Sequence, residues 1–361
     1  MTTPPHPHGY GYGGHAYPPP PPPPPKPGVI PLAPLDFGAV LSGAFATFGR
    51  HWRQLLGVTG AAYGIALLLF GAALGVAYAA VGDHLPRVFD LPAGQEPDWE
   101  DIRPLLIAFA CVWLFALIVM FCTNGLVAAA CPAVVQEAVL GRSTTFGAVW
   151  RRSWTRLPAV LGSVFLSGLA ALLPALCFFG GFAGMMAGLI TAARDGTSPT
   201  DVLILPVLGL LGALVTAPLT VWLWVKFCLS QAAVVMEGQG AVASLRRSSL
   251  LVRDSWWRVF GCTLLAAVMA AVVNGAIQQG LSFLMMVPMM GFDPSTDSPA
   301  SVIATFVVLF VLLLLGQLVG QALVSVFPPL VTSLLYVDQR IRKENLAPEL
   351  ARAAGVPHFG P

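Results

Sequence analysis

Charged residues are the scarcest component of this chain: Asp, Glu, Lys and Arg make up only 10% of its 361 residues. Soluble domains carry roughly 25%, so an ordinary water-soluble enzyme is excluded. The local patterns of common catalytic chemistry are missing too. There is no GxxxxGK[ST] phosphate loop, no HExxH zinc helix and no GxSxG in a strand–turn–helix setting. Cys111, Cys122, Cys131, Cys177, Cys228 and Cys262 form no CxxC pair and lie within or at the ends of apolar stretches. That assigns them to small apolar packing positions rather than to disulfides or metal. The six histidines are scattered through tails and loops. No catalytic, cofactor or metal residue is expected, and the chain is read as non-enzymatic. The first long apolar stretch begins near Gln54, behind a polar, proline-rich leader, so no cleavable signal peptide is expected.

Hydrophobic residues fill the space that charge leaves, at 56% of the chain. Six nearly charge-free stretches occupy about 54–81, 104–135, 157–192, 202–235, 259–290 and 300–337. Each exceeds the roughly 20 apolar residues that a helix needs to cross the hydrocarbon. The prediction is an all-α, polytopic membrane protein, a six-transmembrane helix bundle. Residues 1–35, with the run Pro18–Pro25, read as a disordered cytoplasmic tail that favours polyproline II. Residues 36–346 read as the membrane domain and 347–361 as a second cytoplasmic tail.

Basic residues collect on one side of the predicted spans, fifteen against three. The positive-inside rule then puts both termini in the cytoplasm of a plasma-membrane protein, and an even number of spans agrees. Three basic segments precede the outgoing spans. In the first, Phe37, Val40, Leu41, Ala44, Phe48, Trp52 and Leu55 recur at helical spacing, with Arg50 and Arg53 on the other side. In the second, 144–157, Phe146, Val149, Trp150, Trp154 and Leu157 oppose Arg151 and Arg152. The third, 240–258, carries Arg246, Arg247 and Arg258. Such segments suit the membrane interface. The bilayer is therefore the expected partner, through anionic phospholipid headgroups at Arg50, Arg53, Arg151, Arg152, Arg246, Arg247 and Arg258. Lys226, inside span 4 beside Trp222 and Trp224, reads as an interfacial anchor. A protein partner stays open. Nucleic acid is not expected, because the arginines sit in apolar, membrane-tethered segments.

An internal repeat organises these pieces. Ala133-Val134-Val135-Gln136-Glu137 returns as Ala233-Val234-Val235-Met236-Glu237, with a looser echo in Leu334–Asp338. Arg151-Arg152-Ser153 matches Arg246-Arg247-Ser248, and Gly-Ala-Val recurs at 38, 147 and 240. The units are about 36–141, 142–239 and 240–346, each an amphipathic helix followed by a helical hairpin ending in a carboxylate.

Charge near the bilayer centre is costly and usually functional, and apart from Lys226 the spans hold none. This argues against an ion-coupled transporter. Asn274 and Gln278 lie four apart on span 5; Gln317 and Gln321 lie four apart on span 6, beside Gly316 and Gly320. Counted from the basic ends, the two pairs sit at matching depths. They predict an intramembrane polar seam, tightened by a small-xxx-small contact; the alternative is a hydrophilic substrate path.

Pro27–Leu35, Arg50-His51-Trp52-Arg53, Trp256–Gly261 and Leu335–Leu346 resemble, in order, actinobacterial membrane proteins grouped with the membrane domain of glycerophosphoryl diester phosphodiesterases. The likeness spans roughly 27–350. In that group the domain can be joined to a soluble phosphodiesterase barrel. This chain has no barrel-length soluble segment and lacks that enzyme's acid and histidine motifs, so the resemblance implies a membrane module rather than a hydrolase. The expected role is an anchor, scaffold or envelope-associated module. The alternative is a transporter or lipid-handling permease built from three hairpins. A membrane-embedded enzyme on lipid phosphodiesters is a third reading, which would need carboxylates and histidines clustered at one depth.

Overall fold

A computed structural model describes residues 27–89, 98–195, 199–291 and 299–354. Asp36 starts the first helix: its carboxylate accepts a hydrogen bond from the Ala39 amide at 2.6 Å, satisfying one of the donors a helix start leaves open. Helix α1 runs Phe37–Val81, and a 3₁₀ turn leads into α2, Leu85–Phe89. Helix α3 spans Trp99–Val139 behind an Asp98 cap, and α4 spans Phe146–Asp195. Then come α5 (Pro199–Phe227), α6 (Ser230–Glu237), α7 (Ala241–Val252), α8 (Trp256–Gly291), α9 (Pro299–Glu344) and α10 (Ala347–Ala353). Among the described residues there is no strand.

Five of these helical runs are long and apolar enough to cross a membrane: those in α1, α3, α5–α6, α8 and α9. A sixth results if the two halves of α4, Phe146–Leu169 and Pro174–Ile190, bent by 57°, count as one span. Pro174 explains the position of the bend, since its ring removes a backbone donor. The fold is therefore an all-α polytopic bundle. The first two amphipathic segments share one helix with their spans, but α1 is kinked at His51 (φ −121°, ψ 23°), between Arg50 and Arg53 of the basic segment. The third segment is divided between the separate helix α7 and the start of α8.

Burial is concentrated at the basic end. Val127, Val134 and Val135 of α3, Val160 of α4, Val234 of α6 and Leu330 and Leu334 of α9 are buried there in one core. Toward the opposite end α1, α3 and α5 present Leu68, Val76, Trp113, Leu214 and Val215 outward, as residues facing lipid do. Close helix contacts use glycine. A Cβ on Gly320 would stand 2.7 Å from Ile277, and one on Gly316 would stand 2.7 Å from Leu281, so α8 nests its branched side chains on the bare face of α9. Gly209 of α5 meets Gly181 of α4 in the same way.

Two segments differ from the sequence reading. Residues 27–35, expected to belong to a disordered tail, form a strap inside the core, with Val29, Ile30, Leu32 and Leu35 all buried. Ile30 rests on the bare face of Gly43, beside Leu334. The Val29 amide donates to the Ala138 carbonyl at 3.2 Å, which also accepts from the Gly141 amide at the end of α3, so the strap is tied to that helix end. The prolines confer no disorder here because Val29, Ile30, Leu32 and Leu35 offer enough apolar surface to dock. Residues 347–353, expected in the second tail, form α10, whose Ala347, Leu350 and Ala351 pack on the same core. Residues 1–26, including Pro18–Pro25, lie outside the described residues.

Candidate functional site

Two ionic centres close the basic end. In the first, Asp338 of α9 is fully buried and accepts from three directions. Arg258 at the start of α8 reaches Oδ2 at 3.1 Å, Arg342 reaches Oδ1 at 3.0 Å, and the Leu35 amide donates to Oδ1 at 2.8 Å. The Leu35 carbonyl accepts in turn from both guanidinium groups. The Arg258 guanidinium also lies over the Phe37 ring, 5.2 Å from its centre. A buried charge must be paired in this way to be tolerated.

In the second centre, Arg247 of α7 bridges Glu237 at 3.0 Å and Glu344 at 2.5 Å, while Arg340 lies 3.4 Å from Glu237 and 2.8 Å from Glu344. The Tyr336 hydroxyl donates to Glu237. Burial works against the charge on Arg247, but the hydrogen bond and fields of Glu237 and then Glu344 outweigh it and raise its pKa further. Arg247 is therefore a permanent cation holding α6, α7 and α9 together. Lys343 extends the network to Asp254 at 2.9 Å.

Arg152, Arg247 and Arg258, expected to contact lipid, are thus turned into the protein. Arg152 donates to Gln136 at 2.5 Å and to the Val235 carbonyl at 3.3 Å. Their partners are acceptors at the ends of other helices, which bind a guanidinium by fixed, short hydrogen bonds. Arg50, Arg53, Arg151 and Arg246 are exposed, and Arg53 stacks over Trp52. Lys226 lies over Trp222, with its Nζ 4.4 Å from the ring centre.

In the membrane-crossing part, Gln278 donates to Gln317 at 2.7 Å, linking α8 to α9. Gln321 does not meet Asn274. Its amide turns the other way, 3.4 Å from the Tyr63 hydroxyl, which donates to Asn124 at 3.0 Å. The polar groups therefore connect α8, α9, α1 and α3. Tyr63 and Asn124 escaped the sequence reading; a polar side chain within an apolar run, with Thr123 beside Asn124, is the signal the chain gives of them. A groove of about 630 Å³ lies above this floor, with Phe70, Phe109, Trp113 and Leu314 among its walls. Among the described residues no three His, Cys, Asp or Glu converge on a metal-sized point.

Long apolar helices, a sealed ionic end and a lipid-facing remainder define a polytopic α-helical membrane protein. A family described as a domain of unknown function, DUF7847, matches residues 44–338, and the chain belongs to that family. No curated protein and no solved structure matches it.

Proposed function

We propose that this protein is a non-enzymatic membrane module of the plasma membrane, an anchor or scaffold whose basic end faces the cytoplasm together with both termini. The observation that carries this reading is the use of charge at the basic end. Asp338, Glu237 and Glu344 are each committed to arginines from other helices, which makes a rigid platform rather than a mobile gate. The exposed Arg50, Arg53, Arg151 and Arg246 form a rim around it for anionic headgroups. The resemblance to membrane domains of phosphodiesterases agrees with a module that supports other chemistry without performing it. A test is reconstitution into vesicles containing anionic lipid. The module reading predicts no solute flux, no movement of labelled lipid between leaflets and no phosphodiester hydrolysis; hydrolysis by the pure protein would overturn it.

The groove between α1, α3 and α9 favours a second reading, a lipid-handling permease. Its walls are apolar, and its floor offers the Tyr63, Gln317 and Gln321 polar groups. Lipid movement in the vesicles that disappears in Tyr63→Phe/Gln321→Leu would support this reading over the first.

A further inference from the structure

A cleft of about 370 Å³ opens where the end of α5 meets the connection between α7 and α8. Trp222 and Lys226 come from α5, Arg253 follows α7, and Trp256 opens α8. Three features of this cleft point to a ligand. First, neither Lys226 nor Arg253 has a carboxylate within ion-pair distance among the described residues; the neighbouring Asp254 is held by Lys343 at 2.9 Å. Second, Trp222 and Trp256 line the cleft with aromatic surface, and the Trp256 ring is fixed by stacking on Phe260 at 5.1 Å. Third, the cleft borders the start of a 36-residue helix, whose open amides and dipole favour an anion. Ser249 contributes no donor, since its hydroxyl proton is given to the Arg246 carbonyl at 2.8 Å.

We infer that this cleft binds the phosphate of an anionic phospholipid, with Lys226 and Arg253 as counter-ions beside the start of α8. The occupant is a lipid rather than a free anion because the same cleft has apolar walls, Leu250 and Val252. Trp222 in its wall and Trp257 beside it are also exposed, as aromatics at headgroup level are. This assignment rests on the reading that the basic end lies at the membrane surface. It is independent of whether the protein moves lipid.

The experiment is native mass spectrometry of the full chain in detergent, titrated with phosphatidylglycerol and, separately, with phosphatidylcholine. We expect one phosphatidylglycerol to be retained selectively. Lys226→Gln/Arg253→Gln should weaken it by about tenfold or more, while Arg87→Gln, an exposed cation at the opposite end of the bundle, should leave it unchanged. Arg253→Gln alone changes an exposed side chain of the cleft, so it decides the matter if the double variant fails to fold; weaker retention is expected. Equal retention of the two lipids, an equal effect of Arg87→Gln, or no effect of Arg253→Gln overturns the site. Displacement of the lipid by millimolar inorganic phosphate would reassign the cleft to a free anion.

Discussion

The backbone of Leu35 is bound to the side chain of Asp338, 303 residues further along the chain, by a 2.8 Å hydrogen bond. Arg258 and Arg342 close the same contact from the other side, so the strap, α8 and α9 meet at one buried carboxylate. Asp338→Ala would leave two cations without their anion and the Leu35 amide without an acceptor. A loss of about 2–4 kcal/mol follows, readable as a lowered unfolding midpoint in detergent. Asp338→Asn, which still offers an acceptor to Leu35, should lose less.

Gly320 and Gly275 make a paired test of the α8–α9 contact. Gly320 already receives Ile277, and a Cβ there would stand 2.7 Å from it, whereas Gly275 has nothing within 4 Å. Gly320→Leu should cost about 1–3 kcal/mol through overpacking, while Gly275→Ala should be near neutral. Equal thermal stability of the two variants would count against this packing.

The amide pairs should couple unequally. A double-mutant cycle on Gln278 and Gln317 should return about 0.5–1.5 kcal/mol. The same cycle on Asn274 and Gln321 should return nothing measurable, because Gln321 points to Tyr63. Tyr63→Phe should instead couple to Gln321→Leu.

Asp254 provides the pH-dependent contact. Its hydrogen bond to Lys343, helped by the fields of Lys343 and Arg253, holds its carboxyl below the ordinary 3.8. A carboxyl depressed by folding stabilises above its unfolded value, and that contribution is lost as pH falls through the folded one. The tie between Lys343 and Asp254 is therefore intact at neutral pH and opens only below 3.8. Carbon NMR of the Asp254 carboxyl reads this directly; a midpoint above 3.8 would show that the tie does not form.

The membrane-crossing helices were legible because their signal is local: twenty or more apolar residues announce a span, and Pro174 announces its bend. The Gly316 and Gly320 face was legible for the same reason. What depends on distant partners was not. Arg152 and Arg247 look alike in composition to Arg151 and Arg246, yet one of each pair faces inward, because Gln136 and Glu237 await it at the ends of α3 and α6. The strap was misread because Pro31 and Pro34 suggest a solvated chain, and the surface it fills, around Gly43 and Ala138, exists only once the helices have assembled. The cleft at Trp256 was hidden for a related reason: Lys226 and Arg253 come together only where α5 meets the turn after α7.

Hydrogen–deuterium exchange of residues 27–36, in the full chain held in nanodiscs, tests the sealed basic end most directly. This stretch belongs to no helix except through its docking, so its amides report docking alone. The account predicts slow exchange at Val29 and Leu35, whose N–H groups are bound to Ala138 and Asp338, and faster exchange in Asp338→Ala. Exchange in the native chain as fast as in a free peptide of the same sequence would contradict it.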